Sequence, residues 1–164
     1  MTGFQCIYLD ANIIIDMVEM AGETGDMLRS FATEHPVDRP PLFRTSALTL
    51  SEVLVHPFRT GNPDVASVYM NMLAGEYWLD VAPVSSRVLE AASVLRAAHS
   101  ALKLPDAIHI ATAMLSGCSH FLTEDQRITS FEPLRHPFRA ETFPSLQVIR
   151  LDMATLSSIR EVIR

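Results

Sequence analysis

Short apolar segments alternate with longer amphipathic segments along the chain, and this alternation constrains the fold more than any other feature. Five short segments are typical of strands: residues 6–9, 42–46, 77–82, 119–122 and 146–151. Helical periodicity or helix-boundary residues predict helices between and after them, at 12–19, 24–34, 48–55, 63–74, 85–98, 105–115 and 154–162. We therefore predict an α/β fold with a mostly parallel central sheet of about five strands and helices on both faces.

The length and punctuation of the chain predict one domain. At about 150 residues per domain, 164 residues favour a single domain over 1–164. Two proline-rich segments, around Pro36–Pro41 and Pro133–Pro144, are predicted to be surface loops inside that domain because neither shifts the composition enough to mark a linker. The dipeptide His56-Pro57 is predicted to end the helix that begins at Leu48.

Charge and cysteine content narrow the functional classes. The chain has 19 acidic and 13 basic residues, a formal net charge of -6, which argues against a broadly basic surface for nucleic acid. Cys6 and Cys118 are too few for a disulfide framework or a structural zinc site. The first basic residue is Arg29, and no apolar run reaches the roughly 18 to 20 residues that span a bilayer. We expect a soluble, cytoplasmic protein.

Four acidic residues lie at the ends of predicted strands or on predicted helices. Asp10 ends the first strand, Glu52 lies in the helix after the second, Asp106 opens the helix that begins near Pro105, and Asp125 follows the strand 119–122. Open α/β sheets bind ligands beyond the carboxyl ends of their strands. Carboxylate oxygens are the ligands of hard cations such as Mg²⁺ and Mn²⁺, which can promote phosphodiester cleavage.

Each of these acids also has a purely structural interpretation. Asp10 is equally typical of a turn or helix cap, Glu52 of a satisfied structural carboxylate, and Asp106 of a charge that complements a helix dipole. His109, three residues after Asp106, is predicted to be a hydrogen-bonded helix histidine rather than a ligand. Periodicity alone does not show that the four acids converge.

The methionines of the first helix have two possible roles. Met17 and Met20, with Val18 and Ile14 nearby, either fill the core or form an apolar patch for a partner helix.

Four segments in order carry a resemblance to a known family. They are Tyr8–Asp16, Thr45–Leu54, Leu104–Ala113 and Phe121–Asp125. Together they resemble the PIN-domain family, and most closely its VapC-type toxin ribonucleases. The resemblance covers residues 8 to 125, most of the chain.

The resemblance implies a metal-dependent nuclease site. Asp10, Glu52, Asp106 and Asp125 match the family's metal-binding acids, and they would hold Mg²⁺ or Mn²⁺ so that a metal-bound water attacks an RNA phosphodiester in line. Two supporting residues are implied: Asn12 would orient Asp10, and Thr123 would support the fourth acid or the bound water. Glu124 departs from the family pattern and leaves open whether it or Asp125 is the fourth ligand. Asp16 is also common in that pattern, without an assigned role.

The resulting expectation is an Mg²⁺- or Mn²⁺-dependent endoribonuclease, the toxin of a type II, VapBC-like toxin–antitoxin pair. The resemblance also implies an antitoxin partner and a homodimer. The alternatives are a PIN nuclease that processes RNA or cuts DNA without an antitoxin, a catalytically silent PIN-like binding module, and a phosphatase or phospho-acceptor that uses Asp10 as its nucleophile.

Overall fold

The computed structural model describes residues 3–164, and its centre is a five-stranded sheet. All pairings in this sheet are parallel, and the spatial order is β3-β2-β1-β4-β7. Its strands are β1 (Ile7–Leu9), β2 (Phe43–Ser46), β3 (Leu79–Ala82), β4 (His120–Thr123) and β7 (Gln147–Arg150). The short strands β5 (Leu134–Arg135) and β6 (Thr142–Phe143) form a separate antiparallel pair.

Helices connect these strands and cover the sheet. They are α1 (Ala11–Glu19), α2 (Glu23–Glu34), α3 (Leu48–Val53), α4 (Val55–Thr60), α5 (Pro63–Met72), α6 (Ser86–Ala98), α7 (Leu104–Leu115) and α8 (Met153–Ile163). The predicted α/β fold with a parallel sheet of five strands is confirmed. Within residues 3–164, no helix is long and apolar enough to cross a membrane.

The central strand β1 shows why both faces of the sheet are buried. Successive side chains of a strand point to opposite faces. Tyr8 therefore packs with Phe121 and the apolar residues of α6 and α7, whereas Ile7 and Leu9 pack with those of α1, α2 and α8. All three side chains of β1 are fully buried, and this explains the continuous apolar run in its sequence.

Three local predictions are wrong at the level of single elements. Pro57 does not end a helix: it lies in the first turn of α4, where the missing proline N–H is tolerated. The helix ends at Thr60 and is capped by Gly61, which has the left-handed conformation with φ +63°. The strand predicted from residue 77 begins at Leu79 because Glu76 and Leu79 close a turn through two backbone hydrogen bonds. The segment 133–144 is not simply a surface loop, since it contains β5 and β6 and buries Phe143.

The burial of the side chains around Met17 distinguishes between a core role and a partner-binding patch. Ile14 and Met17 are 0% and 2% exposed and belong to the core beneath α1, whereas Val18 and Met20 are partly exposed. The four residues therefore do not form the partner-binding patch considered from the sequence, and the core role is correct for Ile14 and Met17.

The order of strands creates a crevice beside β1. The chain builds β1, β2 and β3 towards one edge and then crosses to place β4 and β7 on the other side of β1. The connections that follow β1 and β4 therefore leave the sheet in opposite directions. Ligand sites of doubly wound sheets lie outside the carboxyl ends of the strands at such a point of reversal.

Candidate functional site

Asp10 occupies the carboxyl end of β1 and is fixed by three donors. Its carboxylate accepts hydrogen bonds from the Ala11 backbone N–H (2.8 Å), from Asn12 Nδ2 (3.0 Å) and from Thr123 Oγ1 (2.6 Å). Asp10 caps α1 and is 8% exposed. The cap role considered from the sequence is thus present, and the same contacts hold the carboxylate at the crevice between β1 and β4.

Asn12 and Thr123 tie the two strand ends together. Asn12 Nδ2 also donates to Thr123 Oγ1 (3.2 Å), and Asn12 Oδ1 accepts from the Glu124 backbone N–H (3.3 Å). Thr123 Oγ1 in turn accepts from the Asp125 backbone N–H at 3.0 Å. These side chains therefore fix the position of the loop that carries Asp125 relative to Asp10.

Asp106 lies in the first turn of α7, close to both strand ends. Burial raises the pKa of the Asp106 carboxyl, and the negative charges of Asp10 and Asp125 raise it further. Three of the four predicted acids thus lie within electrostatic range of one another. Like charges held together in this way favour binding of a cation, because a cation relieves their repulsion.

Glu52 is connected to the same region by a hydrogen bond with His109 of α7. Glu52 Oε2 lies 2.7 Å from His109 Nε2, and His109 Nδ1 lies 2.7 Å from the buried Tyr8 hydroxyl. His109 is 1% exposed and follows Asp106 by one turn of α7. The prediction of a hydrogen-bonded helix histidine is confirmed, and its partner is one of the four acids.

Asp125 is held by an arginine. The Arg127 guanidinium contacts both carboxylate oxygens, with Nη2 2.5 Å from Oδ2 and Nε 2.9 Å from Oδ1. This ion pair holds the pKa of the Asp125 carboxyl at about 2. Arg150 of β7 donates to the Asp125 carbonyl oxygen at 2.6 Å and also to the carbonyl oxygen of Ile128, so that it fixes the loop backbone.

Glu124 points to a different neighbour, Asp16. Burial raises the pKa of Asp16 to about 7, and hydrogen bonding and repulsion with Glu124 contribute to the same change. The Oδ2 atom of Asp16 is buried, and no donor within residues 3–164 reaches it. A proton shared by the two carboxyl groups would satisfy it. The charge of Asp125, by contrast, helps to raise the pKa of Asp106. Asp125 is therefore a better-placed candidate for the fourth ligand than Glu124.

The four acids fit a hard divalent cation in chemistry, but three of them, Asp10, Glu52 and Asp125, are hydrogen-bonded or ion-paired to other groups. Across residues 3–164, no three Asp, Glu, His or Cys side chains come together as a ready metal-binding group. Glu52 is hydrogen-bonded to His109, and Asp125 is paired with Arg127. The contact with His109 uses only Oε2 of Glu52, whereas Arg127 contacts both carboxylate oxygens of Asp125.

Three contributors to this region were not found from the sequence: Tyr8, Arg127 and Arg150. The sequence around Tyr8 did not indicate a role at the site, because its apolar neighbours in β1 are typical of a core strand. Arg127 lies two residues after Asp125, and that spacing is the signal that could have indicated it. Arg150 is more than twenty residues away in sequence, and only the pairing of β4 with β7 brings it to the loop.

Comparison with known proteins identifies the class of this domain. A family model described as PIN domain matches residues 7–132. The match covers well over half of the chain, and the chain therefore belongs to the PIN-domain family. A search of curated proteins found no match.

Solved structures that share the fold include a toxin–antitoxin complex and a toxin. A toxin–antitoxin complex from Klebsiella pneumoniae is 25% identical with a TM-score of 0.54, over 74% of this chain and 88% of that chain. VapC20 from Mycobacterium tuberculosis, described as a sarcin–ricin loop cleaving toxin, is 16% identical with a TM-score of 0.56, over 70% and 86%. VapBC2 from Rickettsia felis, solved with a promoter DNA fragment, is 12% identical with a TM-score of 0.61, over 90% and 99%.

Proposed function

We propose that this chain is a divalent-metal-dependent endoribonuclease and the toxin of a type II toxin–antitoxin pair. The observation that carries the proposal is that Asp10, Asp106 and Asp125 lie within electrostatic range of one another at the crevice beside β1, where burial first, and then the charges of Asp10 and Asp125, raise the pKa of Asp106. Membership of the PIN-domain family supports nuclease chemistry, and the toxin–antitoxin origin of the similar structures supports the biological role.

The residues that would hold Mg²⁺ or Mn²⁺ are Asp10, Glu52, Asp106 and Asp125. When bound, such a cation would offset the charge of a phosphodiester and make a water molecule bound to it more acidic than bulk water. The chain contributes the positioning. Asn12 and Thr123 hold Asp10 in one orientation through the hydrogen bonds to its Oδ2 atom.

His109 and Arg127 hold the remaining carboxylates close to the site. The buried His109 ring keeps Glu52 beside α7, and Arg127 keeps Asp125 ionised. The contact with Arg127 also competes with a cation for both oxygens of Asp125. We therefore expect Arg127 to leave Asp125 when the site is loaded, which frees its guanidinium to contact the RNA backbone.

RNA cleavage with Mg²⁺, with Mn²⁺ and with EDTA tests the chemistry. Asp10→Asn and Asp106→Asn should each lower the cleavage rate by more than about a hundredfold, since a lost ligand should cost at least as much as a lost outer-shell partner. The matched control is Asp38→Asn, because Asp38 lies exposed in the loop after α2. Cleavage that persists in EDTA, or in both ligand variants, would refute the metal-nuclease proposal.

Growth and co-purification test the toxin role. Expression of the chain alone should arrest growth, and expression with a short, adjacent reading frame should restore it and yield a complex of the two proteins. Size-exclusion chromatography with light scattering then tests the expected homodimer. A chain that cleaves RNA without arresting growth would instead support an RNA-processing nuclease that has no antitoxin.

A further inference from the structure

A cavity of about 340 Å³ lies directly against the candidate site. Asp106 and Arg127 line it and also belong to the site, so the two spaces share a wall. The rest of the lining combines aromatic, apolar and cationic side chains, among them His99, Leu102, Lys103 and Phe131. A volume near the lower end of the range for small-molecule sites suits a single unit of a polymer and not a long segment of it.

The aromatic part of the cavity offers a surface for a flat ring. His99 and Phe131 meet edge to face, with ring centroids 5.3 Å apart and planes at 89°. In this arrangement the two rings are not stacked face to face. Phe131 is 8% exposed and packs into the core, whereas His99 is exposed at the end of α6. Unstacked nucleobases bind to such aromatic and imidazole faces.

The cationic part of the cavity is supplied by Lys103, the only lysine in the chain. Lys103 is exposed and immediately precedes α7. None of the ion pairs formed within residues 3–164 involves it. An unpaired ammonium group beside an aromatic surface is a suitable contact for a phosphate, since no acidic side chain has to be displaced first.

Both walls of the cavity are held by hydrogen bonds. In the connection between α6 and α7, the Leu102 N–H donates to the His99 carbonyl oxygen (3.0 Å), and Arg96 Nε donates to the Leu102 carbonyl oxygen (3.2 Å). On the opposite side, Arg150 fixes the loop that carries Arg127. The cavity is therefore preformed, which lowers the entropic cost of binding a ligand.

We propose that this cavity binds one nucleotide of single-stranded RNA next to the scissile phosphate. The base lies against the exposed ring of His99, which packs edge to face with the buried Phe131, and the neighbouring phosphate lies against Lys103. The proposal rests on the proposed ribonuclease function, because RNA is the substrate that reaches Asp106. It adds a specificity site to that function: the nucleotide in the cavity, and not only the metal centre, determines where the chain cleaves.

Binding of an RNA trinucleotide in EDTA tests this site without cleavage. The side-chain NMR signals of His99, Lys103 and Phe131 should shift on titration, and the same trinucleotide in DNA should bind more weakly. His99→Ala and Lys103→Gln should each weaken binding by about tenfold, the order expected for one base stack or one phosphate contact. His99→Phe should retain the affinity because it keeps an aromatic face.

Matched controls are available on exposed parts of other helices. His56→Ala removes an exposed histidine from α4, and Arg87→Gln removes a cation from the opposite end of α6. Neither change should alter binding. Shifts that map away from the cavity, or cavity variants that bind as tightly as these controls, would overturn the proposal. Equal affinity for DNA would overturn its assignment to RNA.

The outcomes separate this proposal from the proposed function. If the chain binds the trinucleotide in the cavity but never cleaves RNA, the binding site stands and the nuclease proposal fails. If it cleaves RNA while His99→Ala and Lys103→Gln keep the same kcat/KM and the same cleavage position, the nuclease stands and the nucleotide site is refuted.

Discussion

Asp16 provides the most direct test of the electrostatics around the site. It lies on α1 beside Glu124, its Oδ2 atom is buried without a donor among residues 3–164, and its pKa is raised to about 7 by burial first and by Glu124 second. Asp16→Asn removes the group that must ionise and supplies an amide that can donate to Glu124. We expect the variant to be more stable than the wild type at alkaline pH.

The sign and magnitude follow from proton linkage. Since the pKa in the folded chain lies above the ordinary 3.8, the folded state keeps a proton that the unfolded state loses between about pH 4 and about pH 7. The free energy of unfolding therefore falls as the pH rises through this range. The full difference between the pKa values corresponds to roughly 4 kcal/mol. Because the carboxyl is only partly buried, we expect solvent screening to reduce this to about 1–2 kcal/mol.

Urea denaturation in EDTA at about pH 4.5 and about pH 8 measures this effect. Asp16→Asn should gain about 1–2 kcal/mol over the wild type at the higher pH and much less at the lower pH. Asp38→Asn, an exposed loop substitution, should show no such pH-dependent gain. A gain that is equal at both pH values, or larger at the lower one, would refute the assignment of a raised pKa to Asp16.

Three further predictions concern other parts of the structure. Arg127→Gln should raise the pKa of Asp125 from about 2 towards 3.8, as measured by a carboxyl ¹³C NMR titration in EDTA; an unchanged value would contradict the ion pair. Gly25→Ala should destabilise the chain by about 1–3 kcal/mol in urea, because a Cβ there would lie 2.1 Å from the Met20 carbonyl oxygen. Ser85→Ala should cost about 1 kcal/mol in thermal or urea unfolding, because it removes the side-chain acceptor that caps α6; a change below a few tenths would count against the cap.

The sequence by itself determined the fold class, and it predicted four acids as candidate ligands, of which Asp10 and Asp125 follow strands. Apolar runs such as Ile7–Leu9 and the helical periodicity between them are local signals, and local signals suffice when strands alternate regularly with helices. These local signals were misleading where the surrounding structure determines whether a helix ends. Pro57 predicted a helix end, yet a new helix begins two residues before it, and a proline in the first turn of a helix costs little.

Only the tertiary structure decided which groups meet. The parallel pairing of β1 with β4 brings Thr123 to Asp10, and the packing of α7 brings His109 between Tyr8 and Glu52. The sequence separation across these contacts is more than fifty residues, so no periodic pattern encodes them. The partners of the acids, and hence their pKa values and their freedom to bind a cation, depend on that long-range packing. The sequence placed Asp10 and Asp125 after strands and Glu52 and Asp106 in helices, whereas the fold determined how each carboxylate is held.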